Sequence, residues 1–287
     1  MASFSSRQWI AITGGVVLFA ALFFINRKTP PKADTGDNQS GGHARQVMGF
    51  DSVLIQSQAQ IPSNIKVRID KISGAIGSAN PQEQAKLLDS IIHIYDSIGA
   101  HIPATYYTEK VAALENSSGF WFEAGDRYYK SAEILNTAAR GTILERGITC
   151  FANSLKIDSN YADARVGMGE CIVAMGTSPM EGIQMIEGVL KKDSNNEKAQ
   201  IALGEFSIQS AQYPKAIIRF NKVLKIDPTY IEAYLYLAQA YESSGNKNTA
   251  ISYLKKYSTF AKDTAIKNQV DNYIIKLEND TTSVKNN

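Results

Sequence analysis

The chain has 287 residues, 44% of them hydrophobic, enough to build a folded core. Its 30 Lys and Arg against 28 Asp and Glu leave a net charge of +2 (30 − 28), and residues 1–34 account for +3 of it (Arg7, Arg27, Lys28 and Lys32 against Asp34). The remainder is therefore near −1, which excludes a general nucleic-acid binder that neutralises phosphates with a basic face, and two cysteines with three histidines are too few for a disulfide framework or a structural zinc site.

After an N-terminal tail (1–8), Trp9 to Ile25 reads WIAITGGVVLFAALFFI, a run without a charge. At about 1.5 Å per residue it is just long enough to cross a bilayer core. Trp9 suits one interface, and Arg27 and Lys28 can snorkel at the other. The run has no polar face, as a core helix would, and no small-x-small cleavage site follows it. Residues 9–26 are therefore predicted as an uncleaved transmembrane helix, a single-pass anchor. The flanking cations lean toward a cytoplasmic body by a narrow margin, which leaves the side of the membrane open. Residues 27–46, with Pro30, Pro31, Gly36, Gly41 and Gly42 among polar residues, read as a flexible linker spanning roughly 20–25 Å.

From residue 47 onward apolar residues recur every three or four positions, which predicts helices throughout. Within 47–117 a degenerate unit starts near Ala85, with Leu88, Ile91, Tyr95, Gly99 and Ala104. In 118–161, Gly125, Tyr128, Gly147, Phe151 and Leu155 form an expanded unit with extra residues around Leu135–Thr142. Residues 162–196 carry Met168, Gly169, Gly176, Gly182, Ile186 and Leu190, with one extra residue expected near Ser178 and Pro179. Residues 197–230 and 231–264 then agree at a period of 34: Leu203 with Leu237, Gly204 with Ala238, Ala216 with Ala250, Phe220 with Leu254. Residues 265–277 read as a helix that shields the last hairpin, and 278–287 as a polar, disordered tail.

This pattern resembles the tetratricopeptide repeat (TPR) family over residues 145–264, and the match degrades upstream, in the expanded unit that begins at 118. The stretch LKIDPTYIEAYLYLAQAY (224–241) is a close match, and LKIDSNYADARVGMGE (155–170) follows it with Ser159 in place of proline. Small residues at repeat positions 8 and 20 let the two helices of a hairpin approach, and large ones at 4, 11 and 24 fill the gaps. The resemblance implies an all-α, right-handed superhelical solenoid of TPR hairpins. It also implies a protein-binding groove lined by the first helix of each unit.

Aligning the units gives three columns for that groove. Position 5 holds Asp89, Phe122, Val166, Ile201 and Leu235; position 9 holds His93, Asp126, Glu170, Glu205 and Gln239; position 12 holds Asp96, Tyr129, Val173, Ile208 and Glu242. An apolar strip beside an acidic ridge suits a basic or amphipathic segment. The columns lack the Lys and Asn with which some TPR domains clamp a partner's C-terminal carboxylate. The blander alternative is that these carboxylates are simply solvated or paired with Arg127, Arg165 and Lys198. Trp121 with Phe122 is a further candidate for an exposed contact.

No catalytic constellation stands out. His43 lies in the linker, and His93 and His101 lack ligand spacing on one helix turn. Cys150 and Cys171 fall on neighbouring helices, either as two buried thiols or as a disulfide in an oxidising compartment. There is no glycine-rich phosphate loop after a strand. No cofactor, metal or small-molecule substrate is expected. The sequence therefore reads as a non-enzymatic, membrane-tethered scaffold. The alternative is an extracytoplasmic chaperone-like or envelope-assembly factor that meets newly translocated chains.

Overall fold

The computed structural model describes residues 48–135 and 138–283. The transmembrane segment, the linker and His43 lie outside them. Thirteen helices make up the described residues, with no strand among them. They are α1 (Phe50–Ala59), α2 (Ser63–Ile76), α3 (Pro81–Ser97), α4 (His101–Glu115), α5 (Ser118–Glu133), α6 (Ala139–Ile157) and α7 (Ala162–Met175). There follow α8 (Pro179–Lys192), α9 (Glu197–Gln209), α10 (Tyr213–Ile226), α11 (Glu232–Ser243), α12 (Lys247–Phe260) and α13 (Thr264–Ser283). None is long and apolar enough to cross a membrane. Two compact units emerge, residues 42–202 and Leu203 onward, and the division falls within α9.

Local chemistry punctuates the helices. Asn80 opens α3 with a reciprocal capping box: its side chain accepts from Glu83 N–H, and Glu83 accepts from the Asn80 backbone. Ser117 caps α5, and Asn116 ends α4 in the left-handed region at φ 43°. The turns after α6, α8 and α10 share one design. Asp158, Asp193 and Asp227 end those helices at ψ 96–97°. Each carboxylate accepts the backbone N–H two residues on, from Asn160, Asn195 and Thr229. The residue between needs no donor, so Ser159, Ser194 and Pro228 are interchangeable there.

Within residues 42–202, consecutive helices pack as antiparallel pairs, and α5 also packs directly on α7. Small residues set the approach distances. A methyl group on Gly182 would lie 2.4 Å from the Gly169 carbonyl oxygen, and one on Gly125 or Gly167 would strike the ring of Phe151, which is fully buried between them. The extra residue near Ser178 is not in the turn. The turns 176–178, 210–212 and 244–246 are equal, and α7 is instead longer, with 14 residues against 13 in α9 and 12 in α11. The expanded unit is likewise absorbed mainly by helix, with 16 residues in α5 and 19 in α6. Arg140, at the start of α6, fastens this extension by donating to the carbonyls of Ala132 and Ala174.

α1 does not join the series of pairs. It lies against α4 and α6. Phe50 packs edge-on to Tyr128 at 5.8 Å, and the Arg146 guanidinium sits 4.2 Å from the Phe50 ring centre. Beneath it, Arg146 and the Tyr128 hydroxyl both donate to the same oxygen of Glu109, at 2.8 and 2.5 Å. The Thr142 hydroxyl donates to the Met48 carbonyl at 2.8 Å.

From Leu203 onward, α11 and α12 form a hairpin closed by α13, which buries Val270, Ile274 and Leu277 against Leu235, Leu254 and Tyr257. The chain expected to be disordered from Glu278 is helical through Ser283. An ion pair from Lys255 to Glu278 at 2.8 Å carries the helix past the point where the apolar pattern stops.

Candidate functional site

Each unit presents its own candidate surface on first helices: α5, α7 and the start of α9 in residues 42–202, and the end of α9 with α11 from Leu203 onward. In residues 42–202, Phe122, Asp126 and Tyr129 stand on successive turns of α5 and are half-buried. Phe122 leans on Phe151 and Tyr161, with centroids at 5.9 and 5.1 Å, and carries Lys198 Nζ 4.6 Å above its ring centre. Lys198 also reaches Asp126 at 3.5 Å, and Lys130 pairs with the other Asp126 oxygen at 2.6 Å. Two cations thus offset one carboxylate, and this part of the surface is aromatic and nearly neutral. Val173 and Ile201 are half-exposed.

Two residues assigned to this part are not surface. Val166 is fully buried, and Glu170 is only 8% exposed, because α7 packs directly on α5. Position 5 of a flanked unit fills core there. Beyond Leu203, Leu235 is likewise 2% exposed, covered by α13. What stays half-exposed in residues 42–202 is Phe122, Val173 and Ile201 beside Asp126, and from Leu203 onward Ile208 with Glu205, Gln239 and Glu242.

The carboxylates beyond Leu203 are held by tyrosines. Glu205 on α9 accepts from the Tyr236 hydroxyl on α11, and Glu242 on α11 accepts from Tyr273 on α13 at 2.8 and 3.0 Å. A tyrosine hydroxyl fixes a carboxylate without supplying positive charge. Of the cations expected to pair with carboxylates, Arg127 makes a bidentate contact with Asp96 and Lys198 reaches Asp126, while Arg165 donates to the Ser159 carbonyl. Sequence reasoning missed Tyr236 and Tyr273. The signal available was their common spacing of 31 residues from the acid.

The remaining candidates have ordinary partners. The Trp121 indole donates to Asn116 at 3.3 Å and is half-buried at the α4–α5 corner. His93 is exposed and pairs with Asp89 on its own helix at 3.3 Å. Among the described residues no cluster of His, Cys, Asp and Glu could hold a metal ion. Cys150 and Cys171 are free and fully buried, and burial pushes both thiols well above the usual range. Glu133, hydrogen-bonded to Tyr129, and Glu232 have carboxyls raised above the usual value, in both cases chiefly by desolvation.

Repeated helical hairpins with small residues at the crossings, identical Asp-closed turns and a shielding terminal helix define a TPR-like helical-repeat protein. Residues 194–280 match the family model described as Regulator of microtubule dynamics protein 1-3. No curated protein matches the chain. Among solved structures, a tetratricopeptide repeat protein from Parabacteroides merdae is similar in fold, with a TM-score of 0.53, 15% identity, and coverage of 78% of this chain and 85% of that one. MamA from Desulfovibrio magneticus aligns at a TM-score of 0.44 and 20% identity over 61% of this chain and 94% of that one. YrrB, described as a TPR protein with an unusual peptide-binding site, aligns at 0.41 and 16% identity, covering 70% and 97%.

Proposed function

We propose that the chain is a protein-binding scaffold, held at a membrane by residues 9–26, that captures a basic or amphipathic polypeptide segment on α9 and α11 beyond Leu203. The observation that carries this reading is the row of half-exposed, positionally fixed side chains on α9 and α11. There Glu205 and Glu242 are locked by tyrosines beside Ile208 and Gln239, so an incoming cation or amide meets a preset acceptor. The role is recognition, and no residue is assigned to chemistry.

The test is site-specific photo-crosslinking in the full chain, with the photoreactive residue at Gln239. Gln184, exposed on α8, is the control. The expected result is a discrete adduct from Gln239 and none from Gln184. Equal adducts from Gln184 and Gln239 would overturn the groove. Loss of resistance to alkaline extraction on deleting residues 9–26 is expected of the tether.

A further inference from the structure

Beyond Leu203 the charges are sorted by helix. α10, YPKAIIRFNKVLKI, carries Lys215, Arg219, Lys222 and Lys225 and no carboxylate. α12, KNTAISYLKKYSTF, carries Lys247, Lys255 and Lys256 and again no carboxylate. Between them in sequence, α11, EAYLYLAQAYES, has two carboxylates and no cation. The two basic helices share one register. Ala216 and Ala250 are both fully buried, as are Phe220 and its counterpart Leu254 (0 and 4% exposed), so both helices turn the same side inward. Their opposite sides therefore face the same way. On α10 that side shows Lys215 and Lys225 exposed around Ile218, which is 70% exposed. On α12 it shows Ser252, Lys255 and Lys256. Glu278 offsets Lys255 and Asp227 is turned to Thr229, so the charge of the face is carried by Lys215, Lys225 and Lys256.

We propose that the outward sides of α10 and α12 form a docking surface for an anionic lipid bilayer. Clustered lysines are drawn to an anionic leaflet within a Debye length. Ile218, stranded in water amid those lysines, gains an apolar phase when the face settles at the headgroup boundary. An acidic polypeptide would satisfy the cations and leave Ile218 exposed. The proposal rests on the tethered-scaffold reading in one respect: a chain anchored through residues 9–26 has a bilayer at hand. Docking would bring α10 and α12 against the membrane.

The test uses the full chain with Ser252→Cys carrying a fluorophore, the buried native thiols being slow to label. It is mixed with vesicles of phosphatidylcholine alone or with about 30 mol% phosphatidylserine, whose acyl chains are brominated so as to quench a probe at the boundary. The expected result is quenching in the anionic vesicles, lost at about 0.5 M salt. The same loss is expected in Lys215→Glu/Lys225→Glu, whose melting temperature should not change because both positions are exposed. Partial loss is expected in Ile218→Ser. Equal signals in neutral and anionic vesicles would overturn the proposal. So would saturable binding of poly-glutamate without acyl-chain quenching, which would assign the face to an acidic protein. The tether is read separately, as resistance to alkaline extraction from neutral vesicles, so the two readings fail independently.

Discussion

Tyr273 on the terminal helix donates its hydroxyl to both oxygens of Glu242, 31 residues earlier on α11. The same step joins Tyr236 to Glu205 and Arg127 to Asp96. In each case one first helix holds the next through a carboxylate on the row assigned to recognition. The side chains offered to a partner are thus also ties between neighbouring units. Removing one should be felt in stability as well as in binding. Tyr273→Phe is expected to cost about 1 kcal/mol, and a double-mutant cycle with Glu242→Gln in urea should show the two losses to be non-additive. Additive losses would mean that the contact contributes nothing in solution.

Two glycines of one helix should respond oppositely to the same substitution. Gly182→Ala on α8 forces a methyl group against the Gly169 carbonyl and Val173, and should cost about 1–3 kcal/mol or more. Gly188→Ala on that helix meets nothing within 4 Å and should stabilise by roughly 0.5–1 kcal/mol. Chemical denaturation of the two variants reads both signs.

Ala216→Leu tests the crossing of α9 and α10 in the same way. Ala216 is fully buried, and Gly204, across that hairpin, already has Phe220 where its own methyl would go. A loss of about 1–3 kcal/mol is expected, and a neutral result would contradict the packing.

Glu232 gives a pH-dependent signature. Desolvation holds its carboxyl above the ordinary value, so the folded pKa exceeds the unfolded one. The contribution of this group to stability is complete below the unfolded value and falls as pH rises through the folded one. Glu232→Gln should therefore melt higher than the parent at pH 7, and the gap should close toward about pH 3.5. A gap that persists in acid would point to packing instead of charge.

Cys150 and Cys171 are buried thiols on α6 and α7, raised by desolvation. In the folded chain both should react with a thiol reagent orders of magnitude more slowly than a free cysteine, and at full rate in urea. Fast native labelling of either would contradict the packing around Phe151 and Gly147.

How much of this was legible in the sequence depends on the range of each interaction. The Asp158, Asp193 and Asp227 turns and the Gly169–Gly182 crossing recur at the repeat period, so pattern alone exposes them. The placement of Val166 and Leu235 failed because a column read at fixed helical spacing says nothing of what the next unit lays over it. For Leu235 the cover is α13. The docking of α1 on α4 and α6 has no periodicity at all. Phe50 and Val53 are one helical turn apart, but what Phe50 meets, Tyr128 and Arg146, lies far along the chain. The tyrosine–carboxylate ties were missed because aromatics in this repeat read as filling, and only the hydroxyl distinguishes Tyr273 from a phenylalanine.

The seat of α1 also fixes where mechanical load enters the molecule. Among the described residues, the chain at Met48 is fastened to the body by Phe50, Val53 and the Thr142 hydrogen bond to the Met48 carbonyl. Tension applied at Met48 is therefore delivered first to α4 and α6. The polypeptide between, α2 and α3, stays slack until Phe50 leaves its place beneath Arg146. Pulled from that end, the array should yield by first releasing one helix and only then unravelling hairpins, so that a short, early extension precedes the main rupture.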